Sequence, residues 1–279
     1  MNLERACLKK IILLALAEDR VEADVTTASL LAFDGPARAE VRAKAAGVIS
    51  GTGVFEKTMQ TVDPALQIIV TRPDGSAVRP GDLVLEIAGK ESSILKGERA
   101  ALNFLQRLSG VATLTREFVK KLEPYRAVLL DTRKTTPGMR YLEKKAVRDG
   151  GGRNHRMNLE EMAMVKDNHI EMAGGIAPAV AAVCRAFPGK RIEVEVKNIP
   201  EFEEALALGV ELIMLDNFPL DQASRAVALS LGRAKLELSG NVSLSTIAEQ
   251  AATGVDFISI GALTHSFQSL DLSLKIMRS

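Results

Sequence analysis

Apolar residues recur along this chain at two different periods, and the change of period marks its organisation. Near the N-terminus Leu3, Cys7, Ile11 and Leu14 recur at helical spacing, which predicts an amphipathic first helix. Residues 37–45 alternate small apolar and charged side chains, the period of a strand. A glycine-rich turn at 47–53, a helix at 54–62 and a β-branched strand at 66–72 follow. Asp74-Gly75 and Pro80-Gly81-Asp82 are turn signals, and 84–87 reads as a further short strand. Residues 33–92 therefore predict an antiparallel sheet with one helix. A Pro-Gly-Asp turn before a strand also occurs in lipoyl and biotinyl carriers, but no lysine stands on a suitable hairpin tip here. Residues 96–121 are helical in pattern, with Leu102, Leu105 and Leu108 on one side. Ser109-Gly110 predicts a break between two helices.

Past Pro124 the pattern becomes short apolar strands separated by helices: 127–130, 162–165, 192–196, 212–215, 236–238 and 257–260. Each ends at polar or glycine residues. From Glu195 to Asp216, to Glu237, to Ser259 the steps are 21, 21 and 22 residues, enough for strand, turn, helix and return. Repeated βα units place function at the strand C-termini, in a barrel or in a doubly wound sheet. Ile192-Glu193-Val194-Glu195-Val196-Lys197 favours the barrel, because an open sheet covered on both faces would be apolar on both. A full barrel of eight units takes about 250 residues, so an incomplete one of six or seven strands is expected.

Charge changes the picture locally. The chain carries a net +1, yet 131–156 holds eight basic residues against three acidic ones. Crowded cations need a counter-charge, so this stretch points to a small polyanion; no nucleic-acid stripe is expected. Two cysteines, Cys7 and Cys184, fit a reducing compartment and exclude a disulfide framework. No apolar run is long enough for a bilayer. Lys9-Lys10 before an apolar run imitates a signal peptide, but Glu4 and the helical spacing favour a first helix and a cytoplasmic protein.

The strand ends collect groups with complementary chemistry. Arg133-Lys134, Lys166, and Arg153, His155 and Arg156 of the glycine-rich loop supply cations; Glu195 and Asp216 supply carboxylates. Arginine forks bind carboxylates, lysine suits pyrophosphate, carboxylates take Mg²⁺ or sugar hydroxyls, and glycine turns expose N–H groups to phosphate. Other readings stand beside these. Lys144 and Lys145 are expected on a solvated helix face, as are Arg99 and Arg107 taken singly. Gly150–Gly152 reads equally as a helix C-cap. Met157, Met162 and Met164 are expected in the core and His265 in a structural role. Glu193 fits a charged partner inside the lumen. The three histidines show no zinc spacing.

Several stretches together resemble the quinolinate phosphoribosyltransferase family, also called nicotinate-nucleotide pyrophosphorylase (carboxylating). They are D-T-R-K-T-T-P-G-M-R (131–140), G-G-G-R-N-H-R (150–156), V-K-D-N-H (165–169), E-V-E-V (193–196), L-D-N (215–217), L-S-G-N (238–241) and G-E-R-A-A-L-N-F-L-Q-R-L-S-G (97–110). The resemblance implies an α/β fold: an N-terminal α/β sandwich domain over 1–110, completed by about 268–279, and an incomplete α/β barrel over 111–267. It implies that quinolinate and phosphoribosyl pyrophosphate give nicotinate mononucleotide, pyrophosphate and CO2 with Mg²⁺, in NAD biosynthesis. It also implies a homodimer, or a higher oligomer, with Arg99 reaching across from the partner subunit.

By the same resemblance, Arg133, His155 and Arg156 hold the quinolinate carboxylates, and Lys134 and Lys166 serve carboxylate and pyrophosphate. Glu195 and Asp216 serve metal and ribose hydroxyls. Ser239, Gly240, Asn241, Gly261 and Ala262 cradle the 5-phosphate. Three positions depart from the family pattern: Asp149 where cysteine is common, Asn158 where glycine is common, and Ala23 where glycine is usual. Each is expected to affect backbone or loop conformation alone. The alternatives are a paralogous phosphoribosyltransferase of the same fold, such as the ModD-like proteins, acting on another acceptor, and a non-catalytic binder of phosphate metabolites.

Overall fold

In the computed structural model, which describes residues 3–277, the elements run in chain order as follows. The first part holds α1 (Leu3–Glu18), α2 (Val25–Ser29), β1 (Pro36–Ala43), β2 (Gly47–Val48), α3 (Thr52–Val62), β3 (Gln67–Val70), β4 (Ala77–Val78), β5 (Leu83–Lys90) and α4 (Glu91–Leu122). Then come β6 (Val128–Leu130), α5 (Arg140–Asp149), β7 (Ala163–Val165), α6 (Asp167–Ala173), α7 (Ile176–Ala186), β8 (Ile192–Val196), α8 (Ile199–Ala207) and β9 (Leu212–Asp216). The chain ends with α9 (Leu220–Ser230), β10 (Lys235–Ser239), α10 (Ile247–Ala252), β11 (Phe257–Ser259), α11 (Ala262–His265) and β12 (Leu272–Met277). No helix among the described residues is long and apolar enough to cross a membrane.

These elements form two compact units. The first comprises 1–116, 135–151 and 264–279; the second comprises 117–134 and 152–263. The outermost residues of the predicted domains, 1, 2, 278 and 279, lie outside the described ones.

The first unit is built on an antiparallel sheet in the order β12-β1-β5-β3. Alternation along β1 decides its inner face: Ala39, Val41 and Ala43 are buried, and Arg38 and Arg42 are not. That face packs on Phe55 and Met59 of α3 and on Ile94, Leu102 and Leu105 of α4. Each large side chain so buried contributes about 1.5–3 kcal/mol relative to exposure.

Three expectations are corrected in this unit. The break at Ser109-Gly110 is absent, and α4 runs unbroken for 32 residues. Gly110 serves close approach instead: a Cβ there would stand 2.2 Å from the Gln268 carbonyl oxygen. Next, α1 buries Ile12 and Leu16, while Cys7 and Leu14 are exposed. The unbroken apolar run 11–17 offers more than one face, and packing selects between them. Leu3 and Glu4 are outside the residues whose side chains are described. Third, Lys144 is fully buried, and Lys145 is half-buried between Asp74 and Asp149, 2.6 Å from each. Burial opposes a charged Lys145, but Asp149 and Asp74 outweigh it and raise its pKa. Asp149 also accepts from the Ser50 hydroxyl at 2.6 Å, so it braces more than its own loop.

The second unit is a parallel sheet of six strands in the order β6-β11-β10-β9-β8-β7. That order is the chain order turned once round: each strand from β7 to β11 lies beside the next, and β6 lies beside β11. This is the ordering of an α/β barrel left open between its first and second strands. On the free side of β6 one parallel bridge, Leu130 to Arg153, begins to fill the gap. All the strands point the same way, so their C-terminal ends share one edge.

Candidate active site

The second unit gathers every predicted site residue except Arg99 on elements that end at that edge. Arg133 and Lys134 follow β6, and Lys166 follows β7. Glu195 lies in β8, Asp216 ends β9, Ser239 ends β10, and Gly240 and Asn241 follow it. Gly261 follows β11 and Ala262 opens α11. Register fixes the faces. Glu195 pairs with Met214, which pairs with Glu237. Asp216, two residues beyond Met214, shares the face of Glu195, because strand side chains alternate with period two.

The segment 153–156 is held against the end of β6. The Arg153 N–H donates to the Leu129 carbonyl at 2.9 Å, and the Asp131 N–H donates to the Arg153 carbonyl at 3.2 Å. Asp131 is fully buried and accepts from the His155 N–H at 2.9 Å and from Asn154 Nδ2 at 2.5 Å. Gly150 is more than a C-cap. A Cβ there would stand 2.5 Å from the Ala112 carbonyl oxygen, while Gly151 takes the left-handed conformation at φ +99°.

His155 reaches into the lumen. Its Nε2 lies 3.0 Å from Glu193 Oε2 and 3.5 Å from Glu237 Oε2, and its Nδ1 accepts the Arg156 N–H at 2.7 Å. Glu193 and Glu237 are fully buried. None of their oxygens meets an aligned hydrogen-bond donor among the described residues, so charge and proximity hold the trio. Burial opposes a charged His155, but Glu193 and Glu237 raise its pKa from 6.5 to about 9. Burial raises Glu193 to about 7; His155 and Arg156 oppose that rise and the charge of Glu237 adds to it. His155 and Glu193 hold their protons jointly. The Arg156 N–H occupies the Nδ1 lone pair, so the proton this site takes up is held on the Nε2 side, shared with the facing Glu193 carboxylate.

Arg156 is buried beside Arg133. Burial and the Arg133 charge lower its pKa, and Glu193 opposes them. Its Nη1 donates to the Met162 carbonyl at 2.8 Å, and its Nη2 lies 3.7 Å from Met164 Sδ. Met162 is buried, while Met157 and Met164 are only partly so.

Beyond the ends of β7 and β8, Lys166 Nζ pairs with Glu195 Oε2 at 2.5 Å. Asn217 and Asn241 both adopt positive φ, at +53° and +50°. Asn241 Nδ2 donates to Asn217 Oδ1 at 3.1 Å. Gly240, at φ +106°, is required between them, since a Cβ would meet Asn217 Oδ1 at 2.1 Å. Left-handed residues in succession turn main-chain N–H groups outward, which suits an anion.

Arg99 belongs to the first unit, exposed on α4, and lines a cavity of about 500 Å³ with Arg107, Glu18 and Asp19. Arg107 is not a plain solvated residue. It stands 2.7 Å from the fully buried Glu143, donates to Thr136 Oγ1 and stacks on Phe267. His265 is exposed and contacts Ser266.

Sequence reading missed Glu237, and it expected Glu193 as a charged partner inside the lumen, where it stands against His155. Together with His155 they form the group of potential metal ligands found among the described residues, with ligand atoms within 4.8 Å of one another. The available signal was alternation: Glu237 occupies the inward position of β10 as Glu193 does of β8. Only the sheet order reveals that both face one histidine.

Comparison with known proteins divides the chain near residue 110. The profile of "Quinolinate phosphoribosyl transferase, N-terminal domain" matches residues 24–109, and that of its C-terminal domain matches 111–275. The "Probable nicotinate-nucleotide pyrophosphorylase [carboxylating]" of Bacillus subtilis is 39% identical over 273 residues, covering 98% of this chain and 94% of that protein. The chloroplastic nicotinate-nucleotide pyrophosphorylase [carboxylating] of Arabidopsis thaliana is 43% identical over 289 residues, covering 96% of this chain and 82% of that protein. The nicotinate-nucleotide pyrophosphorylase structure from Francisella tularensis superposes with a TM-score of 0.94 at 39% identity, covering 98% of this chain and 96% of that one.

Proposed function

The chain belongs to the quinolinate phosphoribosyltransferase family, and from that premise we propose that it transfers phosphoribose from phosphoribosyl pyrophosphate to quinolinate. Decarboxylation follows, giving nicotinate mononucleotide, pyrophosphate and CO2 in NAD biosynthesis. One observation carries the reading: one strand edge presents the Arg133 and Arg156 guanidiniums at one part and the Lys166–Glu195 pair with Asp216 at another. A dicarboxylate and a sugar pyrophosphate need those two charge types side by side.

Arg133 and Arg156 orient the acceptor through its carboxylates. Glu195 and Asp216 hold the ribose hydroxyls, and Lys134 and Lys166 stabilise the departing pyrophosphate. Ser239, Gly240, Asn241, Gly261 and Ala262 receive the 5-phosphate through main-chain N–H groups. The pyridine nitrogen attacks ribose C1 as the bond to pyrophosphate breaks. The ring nitrogen, now positive, stabilises the electron pair left at C2 when CO2 departs, and a proton then closes that position. The protein supplies position and charge. Glu195 and Asp216 fit Mg²⁺, being hard oxygen donors of which Lys166 engages only Oε2 of Glu195. When bound there, Mg²⁺ would neutralise charge on pyrophosphate.

The family resemblance also supports a homodimer with Arg99 of the partner subunit completing the acceptor site. Leu13, Leu14, Val25, Leu30, Leu31 and Phe33 are all exposed on the first unit, an apolar surface suited to a second copy. Exposed free cysteines Cys7 and Cys184 fit the cytoplasm.

The test is direct. Purified protein, quinolinate, phosphoribosyl pyrophosphate and Mg²⁺ should yield nicotinate mononucleotide and CO2. Arg133→Ala should lower turnover by about 10²-fold or more with the melting temperature unchanged. Wild-type turnover in that variant contradicts the assignment. Product only with another acid would indicate the paralogue, and binding without turnover a non-catalytic binder.

A further inference from the structure

Glu193 opens the E-V-E-V stretch and Glu237 stands just before L-S-G-N, and neither lies at the end of its strand. They approach His155 from β8 and β10, with β9 between them. Each precedes a strand-end residue, Glu195 or Ser239, by two positions. At about 3.3 Å per residue Glu193 lies roughly 7 Å below Glu195 along β8, and Glu237 is level with Glu195 in the strand register. A cavity of about 210 Å³ reaches His155, Arg156 and Glu237 from the side where the strands begin, lined there by Met162, Leu212 and Phe257. The imidazole points into the barrel interior, toward Glu193 and Glu237. Both ring nitrogens are engaged within the protein: Nε2 faces the two carboxylates and Nδ1 accepts the Arg156 N–H.

Arg156 has few other anchors among the described contacts, chiefly the Met162 carbonyl, and it lies close enough to Arg133 for the two charges to oppose each other. Two neighbouring guanidiniums part unless a counter-charge holds them. Two buried carboxylates are equally unfavourable without cations. Each set stabilises the other.

We propose that Glu193 and Glu237, acting through His155, are positioning residues of the acceptor site. They fix the main chain at Arg156 and balance the Arg133–Arg156 charge from below, so that both guanidiniums face the carboxylates of the substrate. The inference rests on the acceptor reading above and changes one role within it. His155 becomes part of the brace beneath the arginines, not a ligand of quinolinate.

The test is Glu237→Gln, which keeps the side chain's size and removes its charge, read against wild type and Glu237→Asp. Three quantities are measured: KM for quinolinate, KM for phosphoribosyl pyrophosphate, and the Kd of phthalate by calorimetry. Phthalate carries the two adjacent carboxylates and no ring nitrogen to attack with, so it reports acceptor binding without chemistry. Glu237→Gln should raise the quinolinate KM and the phthalate Kd by about 10-fold or more, leave the phosphoribosyl pyrophosphate KM within about twofold, and be partly rescued in Glu237→Asp. An unchanged phthalate Kd overturns the brace, as does an equal rise in both KM values. Stoichiometric Zn²⁺ binding that is lost in Glu237→Gln, with phthalate affinity intact, would replace the brace by a metal centre. If Glu237→Gln does not fold, Glu193→Gln undergoes the same measurements with the same expected outcomes. A wild-type protein that neither binds phthalate nor turns over quinolinate sinks the acceptor reading itself, and the brace with it.

Discussion

His155 couples folding to pH. Its pKa is 6.5 in the unfolded chain and about 9 in the fold, so its stabilising share is full below 6.5 and is lost as pH rises through 9. Glu193 acts in the same sense. The unfolded chain releases its proton near 4.5 and the fold near 7, so stability falls between those values. We expect the calorimetric melting temperature to decline from pH 6.5 to 9, and to decline less in His155→Gln. Parallel curves for the two proteins would refute this. Lys145 shows why single residues resist sequence reading. It sits four residues from Asp149, a spacing that is visible, but its second partner, Asp74, is 71 residues away. The helix pattern gave both lysines a solvated face; the hairpin turn at Asp74 took one of them.

At the scale of elements, strand positions were legible and helix faces less so. All six predicted strands past Pro124 are present, because short apolar runs ending in glycine or polar residues leave few alternatives. The faces of α1 and the continuity of α4 depended on neighbours. Glycine inside a helix costs roughly 1 kcal/mol against alanine, so reading Gly110 as a break was reasonable. It persists because the chain at Gln268–Ser269 lies against it. Gly110→Ala should therefore destabilise, against helix propensity, by about 1–3 kcal/mol through overpacking. Denaturant unfolding checks it, and an unchanged midpoint would show that this segment can yield.

For the whole molecule, the assembly proposal makes a quantitative prediction. Arg99→Ala and Arg133→Ala should each be nearly inactive alone. If Arg99 acts across subunits, unfolding and refolding them together makes half the dimers mixed, each with one intact site. Activity should then return to about a quarter of wild type. Failure to recover, with dimers confirmed by light scattering, would place Arg99 in its own subunit's site.

By itself the sequence determined which charged and glycine residues stand at the strand ends, because such motifs are local, and local order survives in one dimension. It determined the repeating βα units for the same reason. The tertiary structure alone decided what lies beneath them. Glu193 and Glu237 are 44 residues apart, and only the parallel order β10-β9-β8 turns both toward one imidazole. The buried partners of Arg107 and Lys145 are likewise set by contacts between distant segments. Burial and charge balance are properties of a closed volume, and a linear pattern does not record which faces will close on one another.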